Sequence, residues 1–273
     1  MDRETINRLN KINAEFYDQT ALSFSRTREE PWPGWVQIVD LFCDHYEQTW
    51  EHAAGLWPFK VLDLACGNLR FESFLSTHYQ NISWECLCID NNPQLVSSRY
   101  TDAAQDEGAK NGNVCIHLEN LDIVDALVKS LPLVASNSQF DLSVAFGFFH
   151  HIPGFELRLR CLKDLISATC PGGIIAVSFW RFMSNSKLAE KAINSTQAAL
   201  TELPDLSLEN NDYLLGWQQS RHTWRYCHHF DREEIDSLVQ NVLPNAVPLA
   251  IFQSDGRDGK LNQYVVLQKR SAH

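Results

Sequence analysis

The run Val61-Leu62-Asp63-Leu64-Ala65-Cys66-Gly67-Asn68 passes from apolar residues into an acid, small residues and a glycine. Asp63 can accept from an ammonium group, and Ala65 and Gly67 let the backbone approach a ligand closely. Asp90 ends a second apolar run, 23 positions after Gly67. A carboxylate there can take both hydroxyls of a ribose, and Asn91 follows it. Leu121-Asp122, after a third run, suits the amino group of a base. Phe146-Gly147 ends a fourth. A phosphate cradle would need more glycine and a cation in the loop, and Gly-x-Gly-x-x-Gly is absent. The constellation points to a cationic ligand without phosphates.

A second set of residues could hold or activate another molecule. Arg28 and Arg225 offer planar forks for a carboxylate, which is already ionised at neutral pH and needs orienting rather than deprotonating. An alcohol or amine would need a base instead, and His150 or His151 could serve. Trp32, between Pro31 and Pro33, suits a packing lid or a stacking face. Tyr17 could plug the first site. Tyr226 and His228 follow Arg225 closely enough to join it. More ordinary roles compete: a loop ion pair for Arg28, helix-end packing for the His150-His151 pair, strand packing for His228-His229. No third ligand at metal spacing accompanies His228-His229, and Cys86-Leu87-Cys88 is not a C-x-x-C pair, so no metal is expected.

These residues need a scaffold. Short apolar runs at 59–65, 84–89, 113–118, 140–146 and 173–179 suit buried parallel strands. Helical spacing over 70–78, 93–106, 122–130 and 155–169 alternates with them, which predicts a doubly wound α/β sheet. Residues 1–20 and 36–50 read as helices before the first strand. Strands at 246–252 and 262–268, joined through Asp255-Gly256-Arg257-Asp258-Gly259, read as a terminal hairpin. Residues 181–245 form a mixed segment before it.

The bulk numbers narrow the setting. A chain of 273 residues, 44% hydrophobic and 21% charged, suits one large globular domain. Met1 to Asn13 has no continuous apolar run, so neither a secretory leader nor a membrane span is expected. Eight scattered cysteines suit a reducing, cytoplasmic compartment. The net charge of −11 opposes unaided binding to nucleic acid, although Arg26, Arg28, Arg221, Arg225 and Arg232 could form a local basic mouth.

In order and spacing, the four strand-end elements resemble class I S-adenosylmethionine-dependent methyltransferases over roughly residues 55–270. The resemblance implies a Rossmann-like seven-stranded sheet with an antiparallel terminal hairpin. It implies S-adenosylmethionine held by Tyr17, Asp63, Ala65, Gly67, Asn68, Asp90, Asn91, Leu121, Asp122, Phe146 and Gly147. Leu69 departs from the family, which often has glycine there, so the loop must tolerate a side chain. The expected organisation is a single domain over 1–273, with 1–55 a helical lid and 181–245 an insertion over the substrate face.

Three further segments resemble the tRNA wobble-uridine 5-carboxymethyl methyltransferases, including the type fused to an AlkB-like hydroxylase. They are Phe16-Tyr17-Asp18 through Phe24-Ser25-Arg26-Thr27-Arg28 to Pro31-Trp32-Pro33; His150-His151-Ile152-Pro153 through Cys170-Pro171-Gly172-Gly173 to Ser178-Phe179-Trp180; and Arg225-Tyr226-Cys227-His228-His229-Phe230. This resemblance implies esterification of a carboxylate on a tRNA wobble uridine. Arg28, Arg225, His150 and His151 would be catalytic, and Arg28, Trp32, Arg225, Tyr226 and His228 would meet the substrate. It also implies a small zinc-binding activator protein docked on the sheet edge and the cofactor face. Two alternatives remain: a small-molecule O-methyltransferase acting on a metabolite carboxylate or hydroxyl, and a non-catalytic cofactor-binding partner subunit.

Overall fold

A computed structural model describes residues 1–49, 58–97, 109–137, 139–217 and 222–271. Its helices are α1 (Arg3–Arg26), α2 (Pro33–Thr49), α3 (Arg70–His78), α4 (Pro93–Ser97), α5 (Ile123–Lys129), α6 (Phe155–Ala168), α7 (Ser186–Glu202) and α8 (Arg232–Val242). Its strands are β1 (Phe59–Leu64), β2 (Trp84–Asp90), β3 (Ala109–Asn111), β4 (Val114–Asn120), β5 (Phe140–Ala145), β6 (Thr169–Trp180), β7 (Asp212–Gly216), β8 (Trp224–His228), β9 (Ala246–Ser254) and β10 (Asn262–Lys269).

The main sheet runs β3-β4-β2-β1-β5-β6-β10-β9. It contains the seven expected strands, with β10 antiparallel to both β6 and β9. The additional strand, β3, has three residues, too few to leave a period-two pattern in the sequence. β1 pairs in parallel with β2 on one side and β5 on the other. The chain order reverses there, and ligands of open α/β sheets bind beyond the strand ends at that point.

Alternation along β1 builds both faces. Val61 packs with Ile38 and Phe42 of α2 and with Phe71 and Phe74 of α3. Leu62 and Leu64 join the opposite core, with Val124 of α5, Leu162 of α6 and Leu238 of α8. Full burial of such a side chain stabilises by about 1.5–3 kcal/mol, against about 0–1 kcal/mol for an exposed ion pair. The apolar faces therefore fix where the strand ends lie.

Some expectations need correction. α1 continues beyond residue 20 to Arg26, because Thr20, Ala21 and Ser25 are buried. α2 starts at Pro33, at a first-turn position that needs no N–H. Of the helix expected over 93–106, α4 covers Pro93–Ser97, and the remainder lies outside the described residues. Trp50, residues 51–55 and Arg221 lie outside them too. The mixed segment 181–245 divides in two. α7 packs on the separate β7–β8 hairpin, whereas Ile235, Leu238 and Val242 of α8 belong to the main core. Leu9 of α1 packs with Ala199, Leu214 and Tyr226 of the α7–β8 unit. Among the described residues, no helix is long and apolar enough to cross a membrane.

Candidate active site

The turn after β1 is tight. Ala65, Gly67 and Leu69 have φ of 61°, 56° and 56°. A Cβ on Gly67 would meet nothing within 4 Å, so the turn faces open space. Leu69 adopts the left-handed conformation despite its side chain. That costs about 1–2 kcal/mol. The side chain is 1% exposed in the core below, which gains about 1.5–3 kcal/mol. Core packing thus offsets the strain that a glycine there would avoid.

Asp90 fixes the turn from the neighbouring strand. Its Oδ2 accepts from the Gly67 N–H at 2.9 Å and its Oδ1 from the Asn92 N–H at 2.8 Å. Each oxygen keeps a lone pair for a ribose hydroxyl. Burial raises its pKa, against the pull of these backbone donors. Asp63 is 3% exposed, and its carboxyl is raised well above the usual range by burial and by the neighbouring Glu72.

Two expected cofactor residues have structural partners. Asp122 Oδ1 caps α5 through the Asp125 N–H at 2.9 Å, while Oδ2 accepts from Asn10 of α1 at 2.8 Å. The Asn68 amide donates to Ser25 Oγ and to the Arg28 carbonyl, which draws the end of α1 over the turn. Trp32 lies against Gly147, where a Cβ would come within 2.9 Å of the indole.

All eleven expected cofactor residues line one cavity of about 920 Å³ at the switch point. The open space beside Gly67, the acids Asp63 and Asp90 and the cavity size fit S-adenosylmethionine. Arg28, Trp32, His150, His151 and Arg225 line the same cavity. Sequence reasoning missed Phe24, Trp180 and Trp217, which wall the arginine end. The Arg28 guanidinium lies 3.5 Å above the Phe24 ring, and that of Arg225 lies 5.5 Å from Trp180.

Neither arginine has a carboxylate within ion-pair distance among the described residues. Arg225 is 6% exposed, and its buried Nε lacks a hydrogen-bond partner. Burial and the charge of Arg225 push the Arg28 pKa down to about 9. Two cations thus share one end of the cavity.

The histidines are poor bases. His151 Nδ1 lies 2.9 Å from the Tyr226 carbonyl, which only accepts, so Nδ1 carries the proton and Nε2 accepts from the Tyr17 hydroxyl at 2.8 Å. Burial and Arg225 push its pKa down to about 3. Burial and His151 hold His150 well below its ordinary value. Nitrogens of both histidines and the Cys227 sulfur lie within 4.8 Å of one another. A cation is disfavoured there, because both His151 nitrogens are committed and Arg225 is adjacent.

Tyr226 and His228 must be withdrawn from the substrate set. They point away from the cavity. The Tyr226 hydroxyl donates to Asp212 Oδ1 at 2.7 Å. His228 bridges Asp212 at 2.7 Å and Glu234 at 2.6 Å. Side chains alternate along a strand, so β8 sends Arg225 and Cys227 to one face and Tyr226 and His228 to the other. Reading 224–228 as a strand would have separated them.

Residues 62–177 match the model of a methyltransferase domain family. A protein of Encephalitozoon cuniculi, provisionally named a methyltransferase, is 27% identical over 225 residues, covering 82% of each chain. A solved S-adenosylmethionine-dependent methyltransferase from Methanosarcina mazei shares 17% identity, covers 81% of this chain and 97% of its own, and superposes with a TM-score of 0.55. A second, from Clostridium acetobutylicum, shares 11% identity, with coverage of 94% and 98% and a TM-score of 0.54. The two structures show the shared fold. With the domain match over part of the chain, they show that this chain has the α/β fold of S-adenosylmethionine-dependent methyltransferases.

Proposed function

We propose that the enzyme esterifies a carboxylate, and that a tRNA wobble uridine of the 5-carboxymethyl type carries it. The carrying observation is the Arg28–Arg225 pair, two cavity cations without an acidic partner among the described residues. A carboxylate supplies the missing charge, and guanidinium forks orient its oxygens. When bound, S-adenosylmethionine supplies an electrophilic methyl group on a sulfonium. Arg28 and Arg225 hold the attacking oxygen in line, and the aromatic wall excludes water. Such an acceptor needs no base, which agrees with two histidines kept neutral. An alcohol or amine acceptor would need a base titrating near working pH.

The tRNA assignment rests on the resemblance of segments 16–33, 150–180 and 225–230. The implied activator protein rests on the same resemblance. All eight cysteines are free, which supports a cytoplasmic setting. The second reading, a metabolite carboxylate, is favoured by the net charge of −11 and by the depth of Arg225.

Labelled methyl transfer from the cofactor to total tRNA and to a small-molecule extract separates the readings. Alkali-labile label on tRNA is expected. Label confined to small carboxylic acids moves the assignment to the metabolite. Alkali-stable label on any acceptor overturns esterification.

A further inference from the structure

Glu72 is fully buried, and no reading of the sequence gave it a role. It sits in the first turn of α3, close enough to Asp63 that burial and mutual repulsion raise the Asp63 carboxyl. Neither carboxyl has an ion pair among the described residues. The groups facing them are Cys86, Cys88 and Asp90 on β2, with Cys66 in the turn between. Cys88 Sγ donates to Glu72 Oε1 at 3.2 Å, while the buried Oε2 has no hydrogen-bond partner among the described residues.

Two adjacent carboxylates in a dry site cannot both be ionised, so one proton stays between them. The thiol donor and the N-terminal end of α3 favour the anion on Glu72. The proton therefore resides on Asp63, whose side chain faces the cavity while that of Glu72 does not.

We propose that Glu72 is a cofactor-positioning residue: it shares one proton with Asp63, and docking of the ammonium group of S-adenosylmethionine displaces that proton into solvent. The O–H bond of Asp63 breaks, both carboxylates are then ionised, and the ammonium takes the proton's place as their counter-charge. The inference rests on Asp63 as the ammonium acceptor.

Calorimetry with S-adenosylhomocysteine, which carries the same ammonium, tests it in two buffers of different ionisation enthalpy at pH 7. About one proton released per ligand is expected, with affinity rising up to about tenfold per pH unit. Glu72→Gln keeps an acceptor for Cys88 and leaves Asp63 an ordinary carboxylate, so release should fall to near zero. A wild-type enzyme that binds without releasing a proton overturns the proposal, as does a variant that releases as many as the wild type. Should the variant not fold, the wild-type proton count decides alone. Failure of the wild type to bind at all would instead remove the cofactor site.

Discussion

Tyr17 of α1 donates its hydroxyl proton to Nε2 of His151 at 2.8 Å, and the same oxygen accepts from Arg225 Nη1 at 3.4 Å. One hydroxyl therefore orients both a neutral imidazole and a buried guanidinium. Tyr17→Phe keeps the ring packed against Phe16 and Phe24 and removes only these bonds. Methyl-transfer kinetics should show kcat/KM for the acceptor falling about tenfold, the equivalent of ~1.4 kcal/mol. An unchanged value would take Tyr17 out of acceptor positioning.

Arg28 and Arg225 should affect the acceptor and spare the donor. Each Arg→Ala change should lower kcat/KM by about 10- to 100-fold, the range for one hydrogen bond to a charged group. Cofactor affinity, measured by calorimetry, should stay within about threefold. Arg225→Lys restores charge without the fork and should recover only part of the loss. Weakened cofactor binding would reassign the pair to the methyl donor.

At Leu69, strain and packing oppose one another. Leu69→Gly relieves about 1–2 kcal/mol of left-handed strain and forfeits about 2–5 kcal/mol of buried side chain. Urea denaturation should show a net loss of roughly 1–3 kcal/mol. A stabilised variant would mean that strain dominates the turn.

His228 between Asp212 and Glu234 makes stability depend on pH. Burial pulls its pKa down, but the bonds to the two carboxylates outweigh that and leave it raised above 6.5. Its contribution is complete below 6.5 and is lost as pH rises through the higher folded value. Glu234 is resisted by burial yet lowered by His228 and Arg158, so its contribution is complete above 4.5 and is lost as pH falls through the lower folded value. The triad thus stabilises most between 4.5 and 6.5. Removing the histidine leaves two carboxylates facing each other and should cost about 3–5 kcal/mol there. Denaturation across pH checks this: His228→Ala should flatten the alkaline limb, and an unchanged limb would place the pH dependence elsewhere.

The cofactor corner was readable because its chemistry is local. An acid, small residues and a glycine at the end of an apolar run specify a turn whichever residues pack around it. The alternating α/β pattern was readable for the same reason. Arg225 and Tyr226 show where that stops. They are neighbours in sequence, yet strand geometry sends one into the cavity and the other into the core. Glu72 was hidden by an opposite bias, because an acid in a helix's first turn normally reads as a solvated residue. Trp217 carried no motif at all. It reaches the site only because α7 and β8 fold back on α1, where its indole donates to Ser23.

The Tyr226 N–H donates to Asn13 Oδ1 across 213 positions of sequence, which makes closure of the cavity an issue of folding order. β1, its turn and the neighbouring parallel strands can assemble from residues up to about 180. α1 can meet α5 and the turn after β1 once these have formed, but its face toward β8 stays open until residues 224–228 arrive. Contacts of this sequence separation slow folding, because loop closure precedes their gain. A nascent chain that stops short of β8 carries the complete cofactor motif under a roof still open at the Arg225 end, and the late return of β8 to α1 completes the enclosure.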